Sequence, residues 1–139
     1  MADLRQVTDT FAVAPQLEPA DLAELKAAGF RRVIGNRPDN EAPPGARADD
    51  IRKAAEAIGL TYVHAPFVGA PTPEAVEAAA NASERTVAYC RSGTRSVTAW
   101  ALSQAQKGSM SADDIVEAAG NAGYNLAALK DALRQLGAR

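Results

Sequence analysis

The residues with the most chemistry in this chain fall in one octet, Tyr89-Cys90-Arg91-Ser92-Gly93-Thr94-Arg95-Ser96, and Cys90 is the only cysteine. The β-prone run Arg85-Thr86-Val87-Ala88-Tyr89-Cys90 delivers the thiol to a strand end. Gly93 then permits a tight turn or a positive φ, and a helical pattern opens near Thr94 or Arg95. Such a loop curls its backbone N–H groups inward, and the helix behind it adds a positive end, which together cradle an anion. That field, with Arg91 and Arg95 nearby, favours a thiolate, the nucleophilic form. Most lone cysteines are small core residues, but two arginines in a tight loop are poor core material. The octet therefore reads as a covalent-catalysis site. Cys90 is the expected nucleophile and Arg95 the loop anchor. Arg91 attracts anionic substrate, and Ser92, Gly93, Thr94 and Ser96 line the anion site.

Three further residues are candidates for support. Arg37, in Asn36-Arg37-Pro38-Asp39, follows a strand and can lean over the thiol loop. The alternative for Asp39 and Asn40 is ordinary turn hydrogen bonding. His64 closes another strand at the same edge, where a lone histidine is more often a structural hydrogen-bonder than a base. One histidine and one cysteine make no typical zinc site, so neither a metal nor a cofactor is expected. Trp100 reads as core, and Tyr89 as packing on the opposite face of its strand.

The elements that must position these residues alternate. Phe11 to Ala14 is a short apolar stretch, and Pro19 opens a helix running through Asp21 to Ala28, stopped by Gly29. Arg31 to Gly35 reads as a strand, and Asn36 to Ala46 as a Pro- and Asn-rich loop. A helix over Ala48 to Ile58 precedes the strand Thr61 to Ala65. Pro66 to Pro73 is irregular, and Glu74 to Ala82 is helical. The helix after Gly93 runs to Gly108, and Ser111 with Asp114 forms a capping box for the next. Asn125 caps a last helix on which Leu126, Leu129, Leu133 and Leu136 share a face. The pattern predicts an α/β domain with a parallel central sheet flanked by helices and a helical C-terminus. Ligands bind such sheets beyond the carboxyl ends of the strands, where the loops after Gly35, Ala65 and Tyr89 converge.

Composition narrows the field. With 139 residues, the chain fits one domain over 1–139. Its 32 alanines inflate the 47% hydrophobic content, and helices account for most of them. Fifteen basic against 17 acidic residues leave a net charge of −2, which predicts no nucleic-acid partner. No apolar run is long enough to span a bilayer, and Met1-Ala2-Asp3-Leu4-Arg5 has no signal-peptide core. A cytoplasmic location without membrane association is expected.

The segment Ala88-Tyr89-Cys90-Arg91-Ser92-Gly93-Thr94-Arg95-Ser96 resembles the active loop of rhodanese-type sulfurtransferases, which carry a persulfide on such a cysteine. The wider pattern is similar to the domain of unknown function 442, the beta-lactamase-hydrolase-like phosphatase-like domain. Ala14-Pro15-Gln16-Leu17, Ala28-Gly29-Phe30, Val33-Ile34, Asn36 to Glu41, Trp100-Ala101-Leu102 and Ala122 to Leu126 carry that likeness. It implies a fold like that of the dual-specificity phosphatases.

The two readings differ in what the loop must hold. Tyrosine phosphatases show H-C-x-x-G-x-x-R, whereas here Tyr89 precedes Cys90, only Arg91 to Thr94 separate Cys90 from Arg95, and Ser96 occupies the arginine register. A phosphatase also needs an acid for its leaving oxygen. The Pro66 to Pro73 loop has none, although Asp39 or Glu41 could substitute. These departures predict a sulfurtransferase. Cys90 would take sulfur from thiosulfate or a low-molecular-weight persulfide and pass it to a thiol or cyanide. Small anionic sulfur compounds are thus the expected partners, and the family likeness adds a persulfide dioxygenase in the same pathway. A cysteine-dependent phosphatase is the alternative, and a sulfide- or anion-sensing module without turnover is a third.

Overall fold

The structure, a computed structural model, describes residues 2–81 and 83–139. Five strands form one sheet in the order β1-β2-β5-β3-β4: β1 (Arg5–Thr8), β2 (Phe11–Ala14), β3 (Arg32–Gly35), β4 (Thr61–His64) and β5 (Thr86–Tyr89). β2, β5, β3 and β4 run parallel, and β1 alone pairs antiparallel, with β2. Among the described residues six α-helices accompany the sheet: α1 (Leu22–Ala27), α2 (Ala48–Ala57), α3 (Pro73–Ala80), α4 (Thr94–Lys107), α5 (Ala112–Asn121) and α6 (Lys130–Leu136).

Alternation along the strands builds two cores. Phe11, Val13, Ile34 and Ala88 turn toward one face, where Trp100, Val97, Ile115 and Leu133 meet them. Ala12, Ala14, Val33, Val87 and Tyr89 turn to the other, against Leu22, Leu25 and Ile51. The period-2 geometry of a strand makes this division unavoidable in a sheet covered on both sides. Trp100 is fully buried and stacks on Phe11 with ring centroids 6.3 Å apart, so its expected core role holds. Alanine is the commonest buried residue of these helices.

Local signals set the helix ends. Pro73 occupies the first turn of α3, where Thr72 Oγ1 accepts from the Ala75 N–H at 3.2 Å. Ser111 Oγ accepts from Asp114 N–H at 3.0 Å and opens α5. Gly108, at φ 65°, closes α4 in a conformation that disfavours side chains.

The sequence reading needs several corrections. It had no strand before Phe11, yet Arg5–Thr8 adds an antiparallel edge strand. The helix expected to open at Pro19 begins as a tighter 3₁₀ turn over Pro19–Asp21. Helix α3 ends at Ala80, and the expected end at Ala82 lies outside the described residues. Leu136, placed on the face of Leu133, is 43% exposed because α6 ends there at Gly137. Among the described residues, no helix is long and apolar enough to cross a membrane.

Candidate active site

Cys90 is the first residue beyond β5, the central strand. Its N–H donates to the Ala14 carbonyl at 3.3 Å, while the preceding Tyr89 carbonyl accepts from Asn36 N–H at 2.8 Å. The thiol is thus held from β2 on one side and from the end of β3 on the other. Cys90 is fully buried, and its Sγ accepts the Gly93 N–H at 3.0 Å. A backbone donor on sulfur, at the start of a 14-residue helix, is the arrangement that steadies negative charge on or next to that atom.

Gly93 makes the turn possible. Its φ of 94° is left-handed, and a Cβ there would overlap the Tyr124 hydroxyl. Tyr124 in turn donates to the Ser92 carbonyl at 2.9 Å. Ser92 Oγ donates to Thr94 Oγ1 at 3.1 Å, and Arg91, Ser92 and Thr94 all stand exposed at the mouth. Burial raises the Tyr124 phenol above its ordinary range, and the Cys90 charge adds to this while Arg5 opposes it.

Arg95, expected to anchor the thiol loop, reaches instead to the segments after β3 and β4. Its Nη2 lies 2.6 Å from Glu41 Oε1, its Nη1 lies 3.3 Å from Oε2, and Nη1 also donates to the Phe67 carbonyl at 3.0 Å. The hydrogen bond from Arg95 is the main reason the Glu41 carboxyl lies below the usual range, despite opposing desolvation; the charges of Arg95, Arg37 and Arg91 add to it. In this arrangement both Glu41 oxygens face Arg95, so the geometry gives the carboxylate a positioning role and not the acid role considered for it above.

Asp39 is committed elsewhere: its Oδ1 accepts the Ala48 N–H at 2.9 Å and caps the start of α2. His64 Nε2 lies 3.3 Å from the Arg37 carbonyl, and since a carbonyl only accepts, the ring nitrogen is the donor. This is a structural bond holding β4 to the loop. Arg37, expected to lean over the thiol loop, places Nη1 on Gln16 Oε1 at 3.1 Å and Nε 3.7 Å from Glu41. Ser96 requires correction as an anion-site residue, because its buried Oγ donates to Asn36 Oδ1 at 2.8 Å. Asn36 Nδ2 continues the chain of bonds to the Ala65 carbonyl at 2.9 Å. Tyr89 faces the second core as expected, its hydroxyl 2.8 Å from that of Tyr62.

Sequence reasoning missed Tyr124 as a site residue. The signal was present in Gly123-Tyr124-Asn125, an irregular break between two helices, but nothing local tied it to a loop 32 residues earlier. Among the described residues, no three of His, Cys, Asp and Glu gather as a metal site.

Comparison with known proteins places this geometry. The beta-lactamase hydrolase-like protein of Agrobacterium fabrum is 30% identical over 128 residues, covering 88% of this chain and 30% of its own length. The chain therefore spans under a third of the length of that curated relative. A candidate phosphatase from Neisseria meningitidis has a similar structure, with a TM-score of 0.77, 29% identity, and coverage of 94% of this chain and 96% of that one. The kinase associated phosphatase, solved with its catalytic site cysteine replaced by serine, shares the fold at a TM-score of 0.70, with 14% identity over 98% of this chain and 95% of that one. The Neisseria likeness favours the phosphatase alternative over the sulfur carrier expected from the loop, whereas the kinase associated phosphatase speaks for the fold alone. Residues 3–107 match the family described as beta-lactamase hydrolase-like protein, phosphatase-like domain, and it is to this family that the chain belongs.

Proposed function

We propose that the domain is a cysteine-dependent phosphatase acting on small phosphate monoesters. The observation that carries this reading is the Gly93 N–H on Cys90 Sγ at 3.0 Å, in a turn between the central strand and α4. The Cys90 thiolate attacks phosphorus, the sulfur–phosphorus bond forms, and the bond to the ester oxygen breaks with its electron pair leaving on oxygen. Water then attacks the phosphocysteine, releasing inorganic phosphate and restoring the thiolate. Backbone N–H groups of the loop and the start of α4 hold the phosphoryl oxygens. Arg91, exposed at the mouth, draws the anion in, and Arg95 keeps the loop in place through Glu41.

Leaving-group chemistry follows from the acids. With Glu41 ion-paired, Asp39 capping α2 and no acid in 66–73, a substrate whose leaving oxygen is already a stable anion is favoured.

One observation supports sulfur transfer as a second reading. Arg95 comes one position early for a tyrosine-phosphatase loop and is occupied by Glu41, while Ser96, in the arginine register, is bound to Asn36. The resulting smaller cradle suits a single sulfur atom. There, Cys90 would attack the outer sulfur of thiosulfate, the sulfur–sulfur bond would break and sulfite would leave.

A parallel assay separates the two. Para-nitrophenyl phosphate should be hydrolysed by the protein and left intact by Cys90→Ser. Intact mass after thiosulfate, and again after cyanide, reads the rival. A cyanide-sensitive gain of one sulfur atom, without phosphate release, would replace the phosphatase reading with sulfur transfer.

A further inference from the structure

We propose that Asn36 is a positioning residue for the nucleophile. It clasps both ends of the thiol loop, the strand end before Cys90 and the first turn of α4 after it, and so sets where the Gly93 N–H meets the sulfur.

Asn36 follows β3 directly and is 1% exposed. Its N–H donates to the Tyr89 carbonyl at 2.8 Å, which carries the β3–β5 pairing one residue beyond Gly35. That carbonyl and the Cys90 N–H belong to one planar peptide unit, and the N–H donates to the Ala14 carbonyl at 3.3 Å. The plane that bears the nucleophile is thus held at both edges. At the other end of the loop, Asn36 Oδ1 accepts from Ser96 Oγ at 2.8 Å. Its remaining two groups tie this clasp to the end of β4. Nδ2 donates to the Ala65 carbonyl at 2.9 Å, and the Asn36 carbonyl accepts the Phe67 N–H at 3.3 Å. The Phe67 carbonyl then accepts Arg95 Nη1 at 3.0 Å, which returns the network to α4.

The residue type fits this task. A carbonyl can only accept, so Ala65 requires the amide nitrogen and leaves the amide oxygen for Ser96. An aspartate would turn an oxygen on the Ala65 carbonyl, and an apolar side chain would orphan the buried Ser96 hydroxyl. Ser96, in the arginine register of a phosphatase loop, thereby acquires a role other than holding the anion. Asn36 itself acts through the loop. The inference rests on the reading of Cys90 as the nucleophile and holds for phosphoryl or sulfur transfer alike.

Asn36→Ala strips two buried bonds at once and tests folding as much as the clasp, so the decisive variant is Ser96→Ala. Ser103→Ala is its control: Ser103 is equally buried in α4, but its Oγ donates to the Trp100 carbonyl at 2.6 Å within the same helix. Two readouts are compared at matched stability loss. One is hydrogen exchange of the Gly93 amide, which reports the bond to sulfur. The other is the split of kcat from KM on para-nitrophenyl phosphate. Ser96→Ala should speed Gly93 exchange and lower kcat, each about tenfold relative to Ser103→Ala, with KM within about twofold. If the two variants behave alike in both readouts, the hydroxyl only packs and the clasp is overturned. If wild type leaves para-nitrophenyl phosphate intact, the phosphatase reading fails. The exchange comparison then decides the clasp alone, equal rates overturning it and faster exchange in Ser96→Ala upholding it.

Discussion

Arg95 Nη2 and Glu41 Oε1 stand 2.6 Å apart, joining the first turn of α4 to the loop after β3 across 54 residues of sequence. Both side chains are mostly shielded, at 20% and 31% exposure, so this pair is less screened than a surface salt bridge. It fixes the orientation of the helix that carries the thiol loop.

The pair gives the site an acid limit. The folded-state pKa of Glu41 is depressed, so its contribution is complete above the ordinary carboxylate value and is lost as pH falls through the lowered one. Glu41→Gln should lower the urea midpoint at pH 7, and the gap from wild type should close below about pH 4. As Glu41 positions Arg95 rather than touching substrate, kcat should fall more than KM rises. A gap that persists unchanged at pH 2 would count against the ion pair.

Cys90→Ser should reduce turnover to background while leaving the fold intact. The serine hydroxyl is smaller than the thiol and can still accept the Gly93 N–H, so no buried donor is orphaned. Thermal melting should stay within about 4 °C of wild type. A larger drop would assign the thiol a packing role.

Gly93 and Tyr124 should be energetically coupled. Gly93→Ala forces a left-handed alanine, costing about 1–2 kcal/mol, and drives a methyl into the Tyr124 hydroxyl. In a Tyr124→Ala background only the backbone cost remains. A double-mutant cycle by denaturant unfolding should therefore show a smaller penalty for Gly93→Ala in that background. Additivity would separate the two residues.

The tyrosines set an alkaline limit. Burial, mainly, pushes both Tyr62 and Tyr89 above the ordinary phenol value, Tyr89 the further of the two. Between the unfolded and folded pKa values the unfolded chain binds fewer protons, so stability must fall as pH rises above about 10. Ultraviolet titration should show phenolate forming together with loss of structure rather than before it. Tyr89→Phe should flatten this slope and cost about 1 kcal/mol at pH 7 for the lost bond to Tyr62.

What could be read from sequence was local. The strand, Cys90, Gly93 and the helix after it lie within about ten residues, and their turn chemistry and periodicity are written in that span. Thr72-Pro73 and Ser111 likewise announce their helices within one turn. The hairpin strand Arg5–Thr8 was hidden because an edge strand needs no apolar run, and Arg5 and Gln6 look like a polar terminus. Contacts that cross the fold left no trace in spacing. Ser96 reaches Asn36 over 60 residues, and Tyr124 reaches Ser92 over 32, so the first was given to the anion and the second to no site at all. Glu41 was considered as a substitute acid because the 66–73 loop has none; its pairing with Arg95 depends on how α4 packs, which only the assembled sheet decides.

The place of β5 has a consequence for how the thiol ages and how it can be probed. With β2 and β3 bonded to its two edges and helices on both faces, β5 should be the last strand to exchange its amide protons with solvent. Cys90 inherits that protection on its backbone side, while its sulfur meets whatever the mouth of the loop admits. An anionic alkylating reagent should therefore label it faster than an uncharged one of the same size, and the ratio of the two rates reads the cradle.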